Sequence, residues 1–233
     1  MRQITTKEIF NKINTQMKRS NTRFTLIFDL DDTLFDTSYR RYFIYEQFLR
    51  PKYELPKLSL NLLKKCYNFL PLLEENYYFR KNHTNIVEDF LKLFLSRPCL
   101  YFDRPFSGTI SFFNQIRNPK IRVVFLTGRH NATMKTGTIL LLKIYGFIYQ
   151  GFNRHFLVMK KNDKLSDGYF KIRELKHIME LFPKETFVIF DNESENCKLF
   201  EEILPNNAII VRYNSVQKKD CHFNGFFLEN WEF

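Results

Sequence analysis

Four carboxylates crowd into the nine residues Phe28–Asp36, at Asp29, Asp31, Asp32 and Asp36. Acids so close together repel one another, and a bound cation is the natural counterweight. Asp31 lies two residues beyond Asp29, so on an extended chain the two side chains point the same way. The plainer account is a strand followed by an acidic turn, because Asp and Thr both favour turns. Two more polar segments follow apolar runs in the same manner: Thr127-Gly128-Arg129, and Asp191-Asn192-Glu193-Ser194-Glu195-Asn196.

Something must bring these three segments together. Five short apolar runs read as buried strands: Phe24–Phe28, Arg122–Leu126, His155–Met159, Phe187–Phe190 and Ala208–Val211. Helical patterns lie between the later ones, at Ser107–Ile116, Met134–Tyr145, Phe170–Leu181 and Cys197–Ile203. Such alternation implies an α/β fold, a Rossmann-like three-layer arrangement with a parallel sheet covered on both faces. In these sheets ligands sit at the carboxyl ends of the strands, where the three polar segments fall.

Residues 38–104 interrupt the alternation. Tyr39–Leu49, Ser59–Phe69, Leu72–Phe79 and Thr84–Leu95 carry apolar residues at helical spacing, punctuated by Pro51, Pro56, Pro71 and Pro98. The expectation is a helical cap of about four helices, inserted into a core made of residues 1–37 and 105–233. Its aromatic residues, Tyr39, Tyr42 and Tyr77 among them, read first as core and second as a surface on which a planar ligand stacks.

At this point the sequence resembles the haloacid dehalogenase superfamily, over nearly the whole span from Phe24 to Tyr213. That family has a DxDx(T/V) segment, then a Ser or Thr ending the next core strand, then a Lys, then an acidic segment. The resemblance implies a Mg²⁺-dependent phosphatase of its capped branch. Asp29 would be the nucleophile forming an aspartyl phosphate, and Asp31 the acid and base for the leaving alcohol and the water. Acids at the position of Asp31 accompany phosphatases and phosphomutases in the family, not dehalogenases. Thr127 and a lysine would stabilise the phosphoryl group, while Thr33, Gly128 and Arg129 would line its site.

Lys160, Lys161, Lys164 and Lys171 all fall in the interval for that lysine, and the resemblance favours Lys171 at a helix start. Arg129 either touches substrate or pairs with a local carboxylate. The metal set implied is Asp29, Asp31 and Asp191, with Glu195 or Asn192 where the family usually has a second Asp.

The remaining composition narrows the class. Of 233 residues, 44% are hydrophobic, with 27 Phe and 12 Tyr, which describes a packed chain and not a disordered one. Residues 1–20 lack the apolar run of a signal peptide and read as an amphipathic helix behind Thr5 or Thr6. No stretch approaches the ~20 apolar residues of a membrane span. Cys66, Cys99, Cys197 and Cys221 form no CxxC pair, which suggests reduced thiols in a cytoplasm. The net charge of +11 favours anionic ligands, but the basic residues are dispersed and no nucleic-acid motif accompanies them. A small phosphorylated metabolite, with a nucleotide as one form, is therefore the expected partner. A polynucleotide-end phosphatase and a catalytically idle module binding a phosphorylated partner are the alternatives.

Overall fold

The computed structural model of the protein describes residues 1–20, 22–148, 154–161 and 165–233. In chain order the first elements are β1 (Arg2–Gln3), α1 (Thr6–Ser20), β2 (Arg23–Phe28) and β3 (Phe35–Asp36). A helical region follows with α2 (Ser38–Ile44), α3 (Arg50–Tyr53), α4 (Leu60–Leu63) and α5 (Tyr77–Phe94). The chain then runs through β4 (Arg104–Pro105), α6 (Thr109–Gln115), β5 (Ile121–His130), α7 (Asn131–Ile144) and β6 (His155–Lys160). It ends with α8 (Asp167–Leu181), β7 (Glu185–Asp191), α9 (Ser194–Glu201), β8 (Ile209–Tyr213) and β9 (Phe226–Leu228).

Seven strands form one sheet in the order β1-β9-β8-β7-β2-β5-β6, and every pairing in it is parallel. The expected α/β Rossmann-like class is therefore the observed one. Side chains alternate across β2: Leu26 and Phe28 join one apolar cluster with Phe112, Phe190 and Trp231, while Ile27 joins the other with Leu126, Phe170 and Ile189. Phe28 stands opposite Phe125 on β5 and Phe190 on β7, so the three strands end side by side. That register aligns the polar segments.

All five expected strands occur, with shifted ends. The run from Arg122 continues to His130, because a register shift between Thr127 and His130 lets the strand pair again with β6. The helix after it begins at Asn131 and not Met134, since its first turn is polar and carries no apolar signal. Thr5 proves to be the first cap: its Oγ1 accepts from Glu8 N at 3.2 Å while its own N–H donates to Glu8 Oε2 at 2.7 Å.

The helical region differs more. Ser59–Phe69 contracts to the single turn α4, capped by the Ser59 side chain. Leu72–Phe79 is not a helix of its own. Leu70–Leu73 is a 3₁₀ turn begun by Pro71, and Asn76 then caps α5 by accepting from Phe79 N at 2.9 Å. The last expected helix thus starts at Tyr77, seven residues earlier than Thr84. A π-helical turn at Tyr45–Leu49 joins α2 to α3, where Pro51 opens a new turn. Ile44, Leu63, Phe69 and Ile86 lie in an apolar cluster separate from the two that flank the sheet. Among the described residues no helix is long and apolar enough to cross a membrane.

Candidate active site

The loop after β2 is folded by its own polar groups. Leu30 O accepts from Thr33, Leu34 and Phe35 N–H, and Asp32 takes the left-handed conformation (φ 55°) that Asp tolerates in turns. The Asp32 carboxylate accepts from Thr37 N and Oγ1 at 3.1 and 2.8 Å and pairs with Arg41 at 2.9 Å. Asp36 accepts from Ser38 N at 2.9 Å. Two of the four crowded acids therefore serve the loop. The expectation that a cation answers all four gives way to separate protein partners for Asp32 and Asp36, while Asp29, Asp31 and Asp32 line the cavity.

Asp29 meets residues from two other elements. Lys171, in the first turns of α8, places its Nζ 2.9 Å from Asp29 Oδ1 and 2.7 Å from Asp191 Oδ2 at the end of β7. All three are nearly buried. Asn196 donates to both oxygens of Asp191 at 3.1 and 3.2 Å, and Glu193 N donates to Oδ1 at 2.9 Å. Thr33 Oγ1 lies between Asp29 Oδ2, at 3.5 Å, and Asn192 Oδ1, at 3.2 Å. Asn192 is further occupied, since its Nδ2 donates to Val216 O.

The electrostatics of this group follow from one ammonium shared by two carboxylates. Burial pushes the Asp29 carboxyl up, to about 8, against the pull of Lys171, and Asp191 and Asp31 add to the rise. Lys171 is held well above its ordinary value, because Asp191 and Asp29 outweigh the opposing effect of burial. An anionic pocket short of positive charge, built from hard oxygen donors, fits a Mg²⁺ ion. Among the described residues no three Asp, Glu, His or Cys side chains gather as a metal cluster, so such an ion would lean on carbonyl oxygen and water as well.

Asp31 has a different setting. Its Oδ1 accepts from Arg129 Nε at 3.0 Å, Arg129 Nη2 at 2.5 Å and Arg40 Nη2 at 2.9 Å. Arg129 Nη2 also reaches Asp103 Oδ2 at 2.7 Å, and Arg40 Nε lies 3.1 Å from Asp103 Oδ1 in a charge contact without hydrogen-bond alignment. Two buried arginines thus face two carboxylates. Burial raises the Asp31 carboxyl, but Arg129 and Arg40 overcome it and hold the group well below the usual carboxylate range. Burial keeps Asp103 higher, at about 6, in spite of the same two arginines. Of the two readings of Arg129, pairing with local carboxylates is the contact it makes.

Thr127 is buried at the floor, where its Oγ1 accepts from Arg129 N at 3.3 Å and leaves the hydroxyl hydrogen for another acceptor. A Cβ at Gly128 would stand 2.8 Å from Asp167 Oδ2, so that carboxylate would have to shift. Lys160 pairs with that Asp167 at 2.8 Å, Lys161 is exposed, and Lys164 lies outside the described residues. Glu195 is exposed on α9 and touches the cavity, not Asp191. Arg40, Asp103 and Asn196 were not assigned from sequence. Only Asn196 left a trace there, an amide in the polar run behind Asp191.

No family model matches the chain, and no curated protein matches it. Solved structures do. A haloacid dehalogenase-like family hydrolase from Streptococcus pneumoniae superposes with a TM-score of 0.59 at 12% identity, covering 90% of this chain and 95% of that one. The fold is haloacid dehalogenase-like. Protein tyrosine kinase A of Mycobacterium tuberculosis shares this fold with a TM-score of 0.62 at 15% identity, covering 91% of this chain and 95% of its own. A β-phosphoglucomutase from a Pyrococcus species has a TM-score of 0.54 at 13% identity, with coverage of 89% and 93%. A haloacid dehalogenase-like fold therefore carries proteins of different names, and the reaction has to be argued from the site.

Proposed function

We propose that this protein is a Mg²⁺-dependent phosphatase that hydrolyses a phosphate monoester of a small molecule through an aspartyl phosphate on Asp29. The observation that carries this reading is the single ammonium of Lys171 bridging Asp29 and Asp191 at the floor of a cavity of about 830 Å³. Burial holds the Asp29 carboxyl toward its neutral form; a divalent cation beside Lys171 would favour the ionised nucleophile and partly cancel the charge that repels the incoming phosphate. Residues 38–104 form the cap, and residues 1–37 and 105–233 the core.

Asp29 attacks phosphorus, the bond from phosphorus to the leaving oxygen breaks, and the leaving alcohol takes a proton from Asp31. Water then attacks the acyl phosphate, giving its proton to Asp31 and releasing phosphate and free Asp29. The arginine clamp engages Asp31 through Oδ1, and Asp31 itself lines the cavity. In the resting site Asp31 is the ionised base, and the negative charge of an arriving phosphate opposes the arginines and favours its acid form. Lys171 and the Thr127 hydroxyl hold the equatorial oxygens, and Gly128 lets the chain pass close to them. Asp29, Asp191 and the Asp31 carbonyl would hold Mg²⁺, with Asn196 orienting Asp191; the ion supplies the rest of the charge neutralisation. Glu195 is left outside this set because it is exposed at the cavity lining, whereas Asn196 bonds Asp191 directly.

Acid quenching during turnover of an aryl phosphate, followed by borohydride reduction, converts an acyl phosphate to an alcohol. The expected product is homoserine at position 29. Turnover with no reduced residue, or reduction at another position, removes the covalent mechanism.

A further inference from the structure

The cavity above Asp29 has two unlike walls. One wall belongs to the core: the polar floor itself and a charged rim that includes Glu193, Lys198, Glu202, Lys218 and Lys219. The other comes from α5 and the loop before it: Val87, Phe90, Leu91, Phe94 and Leu95 line the cavity from positions that follow one another at helical spacing. Those five fall on one helical stripe, while Phe79 and Ile86 of the same helix are buried in the helical region's own cluster. Core packing accounts for the second set and for part of the first, since Phe90 and Phe94 pack against that cluster and Leu95 against the one beside the sheet. It does not account for Leu91, which stays 46% exposed, or for Tyr169 across the mouth on α8, which is 66% exposed.

Polar groups on this wall are few. Asn68 spends its Oδ1 on Leu70 N, and Tyr67 lies against Lys218, whose Nζ sits 5.5 Å from the ring centroid. Arg41 reaches the cavity but is engaged by Asp32 and Thr37. A sugar phosphate brings several hydroxyls, each losing water on entry and each needing a new partner. An apolar wall supplies none. It does supply favourable burial for a hydrocarbon or ring, and the cavity volume accommodates a leaving group far larger than phosphate itself.

Resting on the phosphatase reading, we propose that the substrate is a phosphate monoester of a hydroxyl-poor alcohol with an apolar, ring-bearing or alkyl body, which lies on the Val87–Leu95 face of α5. The phosphoryl group meets Lys171 and Thr127 while the body of the leaving alcohol covers Leu91. Sugar phosphates and polynucleotide ends are the poorer substrates on this account, the first because the α5 face offers their hydroxyls no partner and the second because the cavity's lysines, Lys198, Lys218 and Lys219, are carried by the core and not by α5.

The test compares primary-alcohol phosphates, whose leaving oxygens are chemically alike: 2-phenylethyl phosphate, glucose 6-phosphate and a short 5′-phosphorylated oligonucleotide. The expected kcat/KM for 2-phenylethyl phosphate exceeds that for glucose 6-phosphate by at least about tenfold, which one well-buried apolar group can supply. Leu91→Asn is tolerable to the fold because the side chain is already exposed, and it is expected to shrink that ratio severalfold. A preference for glucose 6-phosphate or for the oligonucleotide overturns the proposal, as does a ratio that Leu91→Asn leaves unmoved. Failure to turn over even p-nitrophenyl phosphate sinks the phosphatase reading itself, and is distinguishable from these outcomes.

Discussion

The floor and the apolar wall of the cavity are built on opposite rules. On the floor the geometry is a set of individual charged bonds: Lys171 to Asp29 and Asp191, Arg129 to Asp31 and Asp103. The α5 wall meets that set where Arg40 Nη1 donates to Phe94 O at 3.2 Å, and for the rest it offers a continuous apolar face whose members are interchangeable within their size. A floor of this kind is broken by single atoms, whereas the wall yields only to changes of polarity or volume.

The largest expected effect is therefore chemical and sits on the floor. Asp29→Asn keeps the shape and removes the nucleophile, so turnover of p-nitrophenyl phosphate falls by on the order of 10⁴-fold or more. Its stability is expected to hold, because the change relieves one of two buried carboxylates that share Lys171. A thermal melt checks this beside the assay. Persisting wild-type rates would remove Asp29 from the chemistry, and a collapsed melt would mean that the floor is structural first.

The next effect falls on stability, where the floor meets the two ends of the helical region. Arg40 is in α2 at its entry and Asp103 follows its last turn, and both are fully buried with Arg129. Arg129→Met leaves two carboxylates to one arginine, and a loss of about 3–5 kcal/mol in denaturant unfolding follows from the uncompensated charge. Adding Asp103→Leu restores charge balance and is expected to recover much of that loss. Equal losses for the single and double variants would show that the pair acts through packing alone.

The same contrast explains what could be read from residue order. Asp29, Thr127 and Asp191 were legible because each follows an apolar run, and a parallel sheet delivers strand ends to one edge whatever the intervening segments do. Lys171 was legible only with the resemblance, since four lysines shared its interval. The clamp was not legible. Arg40 and Asp103 lie 63 residues apart on either side of the helical region, and nothing local marks which face of α2 turns inward. The helical region itself was misjudged in its joints, because Pro71 and Asn76 redirect a pattern that periodicity alone reads as helix. The C-terminal stretch gave no motif, yet Trp231 is buried and its Nε1 donates to Thr33 O at 3.0 Å, bracing the loop after β2.

The smallest effects separate two neighbours on α9 that composition cannot rank. Asn196 donates to both oxygens of Asp191, whereas Glu195 carries a charge but is exposed. If Asp191 is a metal ligand, its orientation matters more than one further charge at the rim. Chelation with EDTA is expected to abolish turnover, and readdition of Mg²⁺ to restore it along a saturation curve. Asn196→Ala should shift that curve to higher Mg²⁺ by about 10–100-fold, the usual cost of losing a group that orients a ligand. Glu195→Gln should move it by about twofold at most, as an exposed substitution worth no more than ~0.5 kcal/mol. The reverse ranking would place Glu195 directly on the ion and require α9 to turn when metal binds. Equal and negligible shifts would take Asp191 out of the metal site altogether, leaving it as the counter-charge that keeps Lys171 in place.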